Sequence, residues 1–172
     1  MKRYVCRQLY YRFAYYLPAS YKKPFGGISK KIRYFLCRRI FRYCGSNVNI
    51  ESHASFGAGD KIEIGDNSGI GVNCTVPNCS IIGKNVMMGP NMHVLERNHS
   101  FESKDVPMMF QGYSDSKEFR VEDDVWIGRD VLATPGRTIK RGSIIAAGCV
   151  LCKDFPEFSV IGGNPSMLFR SR

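Results

Sequence analysis

No aspartate or glutamate precedes Glu51, although twelve of the 25 lysines and arginines lie in that stretch. The rest of the chain carries 13 basic against 15 acidic groups, so the formal net charge of +10 belongs to a basic arm on a near-neutral body. No recognised nucleic-acid motif accompanies the charge, and nucleic acid is not an expected partner. Long apolar runs are missing too. Arg7 and Arg12 interrupt the N-terminal stretch before it reaches the length of a signal h-region or a membrane span. Seven cysteines, an odd number without framework spacing, exclude a disulfide scaffold and make a reducing cytoplasm the expected compartment. Histidine is sparse (His53, His93 and His99), and Trp126 is the single tryptophan.

What is abundant is a rhythm. From Ile64 every sixth residue is apolar: Ile64, Ile70, Val76, Ile82, Met88, Val94, and then Val121, Ile127, Ala133, Ile139, Ile145, Leu151. Four places after many of these stands a small or short apolar residue: Ser68, Cys74, Ser80 and Val86, then Val125, Val131, Ser143 and Cys149. Apolar residues six apart do not hold one face of a 3.6-residue helix. A hexapeptide period instead signals a parallel β-helix, in which each unit is a short strand plus a turn and three units make one coil of a triangular prism. The aliphatic residue points inward and stacks on its equivalent eighteen residues on. Small residues fit near the corners, and Gly, Asn and Asp serve the turns because they tolerate positive φ. Residues 48–63 read as a first coil in looser register, with Val48, Ile50, Phe56 and Ile62 inward. Cys74 and Cys149 then pack as small hydrophobes, which takes Cys149-x-x-Cys152 away from redox or zinc chemistry. Arg137 falls on an inward slot and must turn outward or find a partner.

The rhythm stops beside His99. Val94 and Val121 are 27 residues apart, not a multiple of six, so about twenty residues, roughly 100–120, leave the prism and return. This insert carries Phe101, Met108, Met109, Phe110 and Tyr113, more apolar bulk than a solvated loop needs. Long loops in compact domains are commonly functional. Two roles are expected here, a flap over a neighbouring subunit and a lid or wall for a substrate.

Three stretches, "IGKNVMMGPNMHVLERNHSF", "VEDDVWIGRDVLATPG" and "IIAAGCVLCKDFPEFSVIGGNPSMLFR", carry a resemblance over residues 48–170. With the rhythm, they make the chain similar to the left-handed β-helix acyltransferases of the maltose, galactoside and polysaccharide O-acetyltransferase group. The resemblance implies an all-β, left-handed parallel β-helix with an extruded loop. It also implies a homotrimer with active sites between subunits, acetyl-CoA as cosubstrate, a sugar or glycan acceptor and no required metal. His99 matches the family's catalytic histidine, a general base for the acceptor hydroxyl; imidazole as a side chain suits that role near neutral pH. Trp126 matches the tryptophan that lines the acetyl-CoA groove. Gly128 and Ala147 match small residues beside pantetheine, and Lys153 matches a lysine facing CoA phosphates. Met167 replaces the usual lysine of the Gly-Asn-Pro tail, which leaves Arg170, Lys153 or Arg137 to supply that charge; Cys152 stands where many relatives have Thr. Asn91, Glu96 and Asn98 are expected on the acceptor side, with Glu96 a candidate to orient the His99 ring. His93, one wall before His99, is expected at the surface or an interface.

The arm, residues 1–47, is expected to form two helices, 2–17 and 29–43. Pro18 would end the first, Ser29 would cap the second and Gly45 would close it. Ile32, Phe35, Leu36, Ile40 and Tyr43 read as one apolar stripe. With twelve aromatics in the first 43 residues, the arm suits a cap on the open end of the prism. The alternative is a peripheral patch on an anionic membrane at the inner face. Two other functions fit the same fold: a metal enzyme like the γ-class carbonic anhydrases, for which three histidines just suffice, and a non-catalytic assembly subunit.

Overall fold

The computed structural model describes residues 2–172, so Met1 of the arm lies outside it. From residue 43 onward the chain builds three larger sheets, visited in rotation and parallel but for one closing strand, and a two-stranded parallel one. The first holds Tyr43–Cys44, Glu63–Ile64, Ser80–Ile82, Phe119–Val121 and Thr138–Ile139. The second runs from Met87–Met88 through Trp126–Ile127 and Ile144–Ile145 to Ser159–Gly162, closed by the antiparallel strand Met167–Ser171; the two-stranded sheet of Asn49–Ile50 and Gly69–Ile70 packs beside its Met87–Met88 end. The third holds His93–Val94, Leu132–Ala133 and Val150–Leu151, extended by bridges at Thr75 and Ser55.

The register follows the six-residue period. Ile64 pairs with Ile82, Val121 with Ile139, Ile127 with Ile145 and Ala133 with Leu151, each eighteen residues apart. Every residue of the two apolar series is buried except Met88, which is half-buried. The eight small-position residues are buried as well, and the core is a column of aliphatic layers. Corners turn through left-handed backbone at Asn67, Asn73, Asn85, Asn91, Asp124 and Asp130, with φ of 56–62°. Asn and Asp adopt this conformation at low cost. Their side chains also ladder from coil to coil: Asn73 donates to Asn91 at 3.2 Å, and Asn91 to Asp130 at 2.7 Å.

Two departures from the period are visible in the register. Ile50 pairs with Ile70 and Cys44 with Ile64, so the first coil is two residues longer than the rest. Across the insert, Ile82 pairs with Val121, Met88 with Ile127 and Val94 with Ala133, each 39 apart, which makes the extra segment 21 residues. Phe119 is already buried and paired with Ser80, so the coil resumes slightly before the expected boundary at 120.

The arm forms helix α1 (Arg3–Arg12), a 3₁₀ turn (Ala14–Tyr16) and helix α2 (Gly26–Ile40). Both helices differ from the sequence expectation. α2 starts three residues before Ser29, because Gly26 tucks against the Ala19 and Ser20 carbonyls where a Cβ would meet Ser20 O at 2.4 Å. Ser29 is therefore internal and buried, its hydroxyl donating to Phe25 O. Gly45 does not close the helix; Phe41 turns the chain into the first sheet, and Gly45 packs against Asp66. The inward face of α2 is Ser29, Arg33, Leu36, Cys37 and Ile40, leaving Phe35 and Tyr43 exposed.

Arg33 explains that rotation. It is fully buried, with Nε donating to Ile50 O at 2.5 Å, Nη1 donating to Leu17 O and Pro18 O at 3.1 Å, and Glu51 at 3.6 Å. A guanidinium is tolerated inside when its donors are satisfied and a countercharge is near. Tyr10 adds a 2.7 Å bond from its hydroxyl to Ala54 O. Cys6, Tyr10, Ala14, Leu36, Cys37 and Ile40 share one core with Val48, Ile50 and Phe56 of the first coil.

Candidate active site

His99 is exposed, at the point where the chain leaves the third wall. The insert is a hairpin whose two limbs are tied at its base. Asn98 N–H donates to Ser114 Oγ at 3.1 Å and Ser114 N–H to Asn98 O at 2.9 Å; Ser100 N–H donates to Gly112 O at 3.1 Å. These bonds set His99 opposite Tyr113, with ring centroids 4.2 Å apart and planes at 34°. Arg97 lies over the same tyrosine, its Cζ 4.4 Å from the ring centroid. Beyond that base the loop is fastened by Gln111, which accepts from Ser103 N–H and donates to the Ser103 and Val106 carbonyls. Phe101, Met108, Met109 and Phe110 are all more than half exposed at its tip.

The acceptor-side candidates separate in role. Asn98 holds the hairpin through its backbone. Asn91 occupies a left-handed corner and spends its amide on the ladder to Asp130. Glu96 accepts from Lys117 N–H through its carbonyl, and its carboxylate helps to push the Cys79 thiol up, after burial. No side-chain hydrogen bond joins Glu96 to His99 among the described residues, and the ring is oriented by Tyr113 instead. Tyr113 was legible only as apolar bulk, because hairpin pairing lies outside the hexapeptide period.

Trp126 stands on the second wall between Met87 and Ile144, half exposed beside a small cleft that Asp124 and Arg172 also line. Gly128 has a tight neighbour: a Cβ there would meet Ala147 N at 2.6 Å and its Cα at 2.9 Å, so glycine is required by coil stacking itself. Gly71 against Gly89, and Gly89 against Gly128, repeat the contact down the same column. Lys153 is exposed over the Phe155 ring at 5.4 Å, and Arg170 is exposed on the final strand. Arg137 has found partners, donating to Cys152 O at 3.1 Å and lying 3.4 Å from Asp154. Cys149 is buried and Cys152 exposed; the Ser166 hydroxyl holds the Cys152 thiol below its ordinary pKa.

His99 and Trp126 belong to different walls, and no hydrogen bond or ring contact joins them among the described residues of one chain. The other histidines are also set apart. His53 packs on Tyr15 and Tyr16 of the arm, with centroids at 4.9 and 5.9 Å, and His93 is exposed on the third wall. Among the described residues, no three His, Cys, Asp or Glu side chains converge to hold a metal ion.

No protein-family model matches the sequence. Individual proteins do. A Schizosaccharomyces pombe protein named "Putative acetyltransferase" is 33% identical over 147 residues, covering 81% of this chain and 68% of its own. The galactoside O-acetyltransferase of Escherichia coli is 29% identical over 171 residues, 98% of this chain and 78% of its own. Among solved structures, a maltose O-acetyltransferase from Clostridium difficile superposes with a TM-score of 0.79 at 28% identity, covering 99% of this chain and 86% of that one. A hexapeptide-repeat acetyltransferase of Vibrio cholerae, complexed with acetyl coenzyme A, has a TM-score of 0.76 at 27% identity, covering 98% and 87%. The coil register, the hairpin rooted beside His99 and these likenesses agree: the chain belongs to the hexapeptide-repeat acetyltransferases, in the group of the galactoside and maltose O-acetyltransferases.

Proposed function

We propose that the protein transfers the acetyl group of acetyl-CoA to a hydroxyl of a sugar or glycan precursor, with His99 as general base. The observation that carries this reading is the placement of His99. It is the one histidine held at the root of the extruded hairpin, exposed and oriented by an aromatic ring. His99 takes the acceptor proton as that oxygen attacks the thioester carbonyl. The tetrahedral intermediate collapses with cleavage of the C–S bond, and the imidazolium returns the proton to the departing thiolate. Trp126, Gly128 and Ala147 line the path of the cosubstrate, Lys153 and Arg170 face its phosphates, and Asn91, Glu96 and Asn98 border the acceptor.

The coil, expected over residues 48–172, is read as a left-handed triangular prism whose first sheet already takes in Tyr43–Cys44, with the preceding helical residues as an arm packed on it. Because His99 and Trp126 stand on different walls of one chain, a homotrimer that sets one subunit's His99 near another's Trp126 completes the site. The exposed Phe101, Met108, Met109 and Phe110 of the hairpin supply apolar surface for that contact. The arm's cations suit a peripheral contact with anionic membrane, on the cytoplasmic side. Among the described residues no helix is long and apolar enough to cross a membrane. The test is incubation of the purified protein with acetyl-CoA and a panel of sugars, without added metal, reading CoA release and acetyl ester by mass spectrometry. Transfer to at least one sugar hydroxyl is expected; CoA release without any acetylated sugar removes the acceptor assignment.

A further inference from the structure

A helix that packs on a core ordinarily turns a polar face to water. The two arm helices turn large apolar side chains to water beside their charged ones. α1 buries Cys6 and Tyr10 and turns Val5, Leu9 and the following Phe13 outward; α2 buries Arg33, Leu36 and Cys37 and turns Ile28 and Phe35 outward. The two outward stripes meet. Leu9, Phe13, Ile28, Ile32 and Phe35 line an open cleft of about 550 Å³. Contiguous apolar surface of this kind marks a binding face.

The rim decides what binds there. Lys31 borders the cleft, and Lys31, Arg38 and Arg39 border the adjoining groove along α2. Of the arm's twelve cations, Arg33 and Arg42 pair with Glu51 and Glu63; the other ten form no ion pair among the described residues. Arg39 instead lies over the Phe35 ring, its Cζ at 3.8 Å, with its charge beside an exposed aromatic. A second copy of this arm would bring the same positive field against itself, which like-charge repulsion opposes. A surface that is fluid, apolar beneath and negative on top matches both halves of the patch.

We propose that the α1–α2 face is a membrane dock in which Leu9, Phe13, Ile28 and Phe35 insert among the acyl chains of an anionic bilayer while Lys31, Arg38 and Arg39 engage its phosphates. This deepens the peripheral contact given above, from charge attraction at a distance to a face that inserts. Both helices then lie in the interfacial plane, as amphipathic helices with basic rims do, and the coil projects away from the lipid.

The full-length protein is spun with vesicles of phosphatidylglycerol and phosphatidylcholine, and with pure phosphatidylcholine, at low and high salt. Wild type is expected to pellet with the anionic vesicles only, and part of that binding is expected to survive high salt. Lys31→Glu with Arg38→Glu and Arg39→Glu should weaken anionic binding by about tenfold or more. Leu9→Ser with Phe13→Ser, Ile28→Ser and Phe35→Ser should leave low-salt binding but abolish the salt-resistant part. Thermal melts and sedimentation of both variants accompany the assay. A wild type that ignores anionic vesicles overturns the whole membrane reading. An apolar variant that binds like wild type at high salt overturns insertion alone. An apolar variant that changes oligomeric state reassigns the face to self-association. Acetyl-CoA turnover, measured on the same proteins without vesicles, keeps failure of the enzymatic reading separate from failure of the dock.

Discussion

His99 and Tyr113 face each other across the base of the extruded hairpin, their rings 4.2 Å apart and 34° from parallel. One lies on the limb that leaves the coil and the other on the limb that returns, joined by an isolated antiparallel bridge. The hairpin thus does more than extend from the site: its returning limb sets the imidazole. Tyr113→Phe keeps the ring and is expected to retain near-wild-type turnover. Tyr113→Ala removes it and is expected to lower kcat by roughly tenfold, a fraction of what loss of a general base costs, with KM for acetyl-CoA unchanged. Steady-state kinetics on the two variants check this.

The tip of the hairpin is separable from its base. Ser100 and Gly112 are already bonded, and residues 101–110 are exposed. Replacing residues 101–111 with a short glycine turn is expected to leave the melting temperature of the coil nearly unchanged, since loop length itself costs little. Acceptor use and subunit association should fall while acetyl-CoA binding persists. Calorimetry and sedimentation velocity read the two effects separately.

Gly128 is expected to tolerate no side chain. Gly128→Ala forces a Cβ to 2.6 Å from Ala147 N and should cost about 1–3 kcal/mol, the usual price of overpacking. Gly27→Ala, with open space around it in the first turn of α2, is the control and should be neutral or slightly stabilising. Urea denaturation of both proteins gives the comparison.

The Arg33–Glu51 pair links arm to coil and should show in acid. Burial pushes the Glu51 carboxyl up, but hydrogen bonds from the Ser20 hydroxyl and N–H and from Asn49, with the Arg33 charge, outweigh it and hold the pKa below the ordinary value. A carboxylate lowered by folding contributes stability that is complete above its unfolded pKa of about 4.3 and is lost as pH falls through the native value. Glu51→Gln should therefore flatten the acid limb of the stability curve. Arg33→Met leaves three carbonyls and a buried carboxylate without their cation and should cost about 3–5 kcal/mol. Denaturation midpoints at several pH values between neutral and acid test both.

The coil was legible because each inward residue is constrained by the residue stacked on it one turn away; Ile64 over Ile82 and Ile127 over Ile145 lie three six-residue units apart, and that spacing is written in the order of the residues. The insert was legible by subtraction, from the 27 residues between Val94 and Val121. The arm was not. Its inward face is set by Arg33, whose burial depends on carbonyls of Leu17, Pro18 and Ile50 that no local pattern brings together. Tyr113 was hidden for a related reason, since the pairing of residues 99 and 113 is a property of the hairpin and not of the repeat. Gly128 could be picked out by likeness, but its physical reason, the backbone of Ala147, appears only when the coils are stacked.

The catalytic role of His99 is tested most directly by single-turnover transfer from acetyl-CoA to a responsive sugar, comparing wild type with His99→Ala in the absence and presence of a chelator. A general base at this position predicts a loss of roughly 100-fold or more in the transfer step, with acetyl-CoA affinity nearly intact and no effect of the chelator on wild type. Transfer at the wild-type rate by His99→Ala, or a wild-type activity that the chelator abolishes, contradicts it.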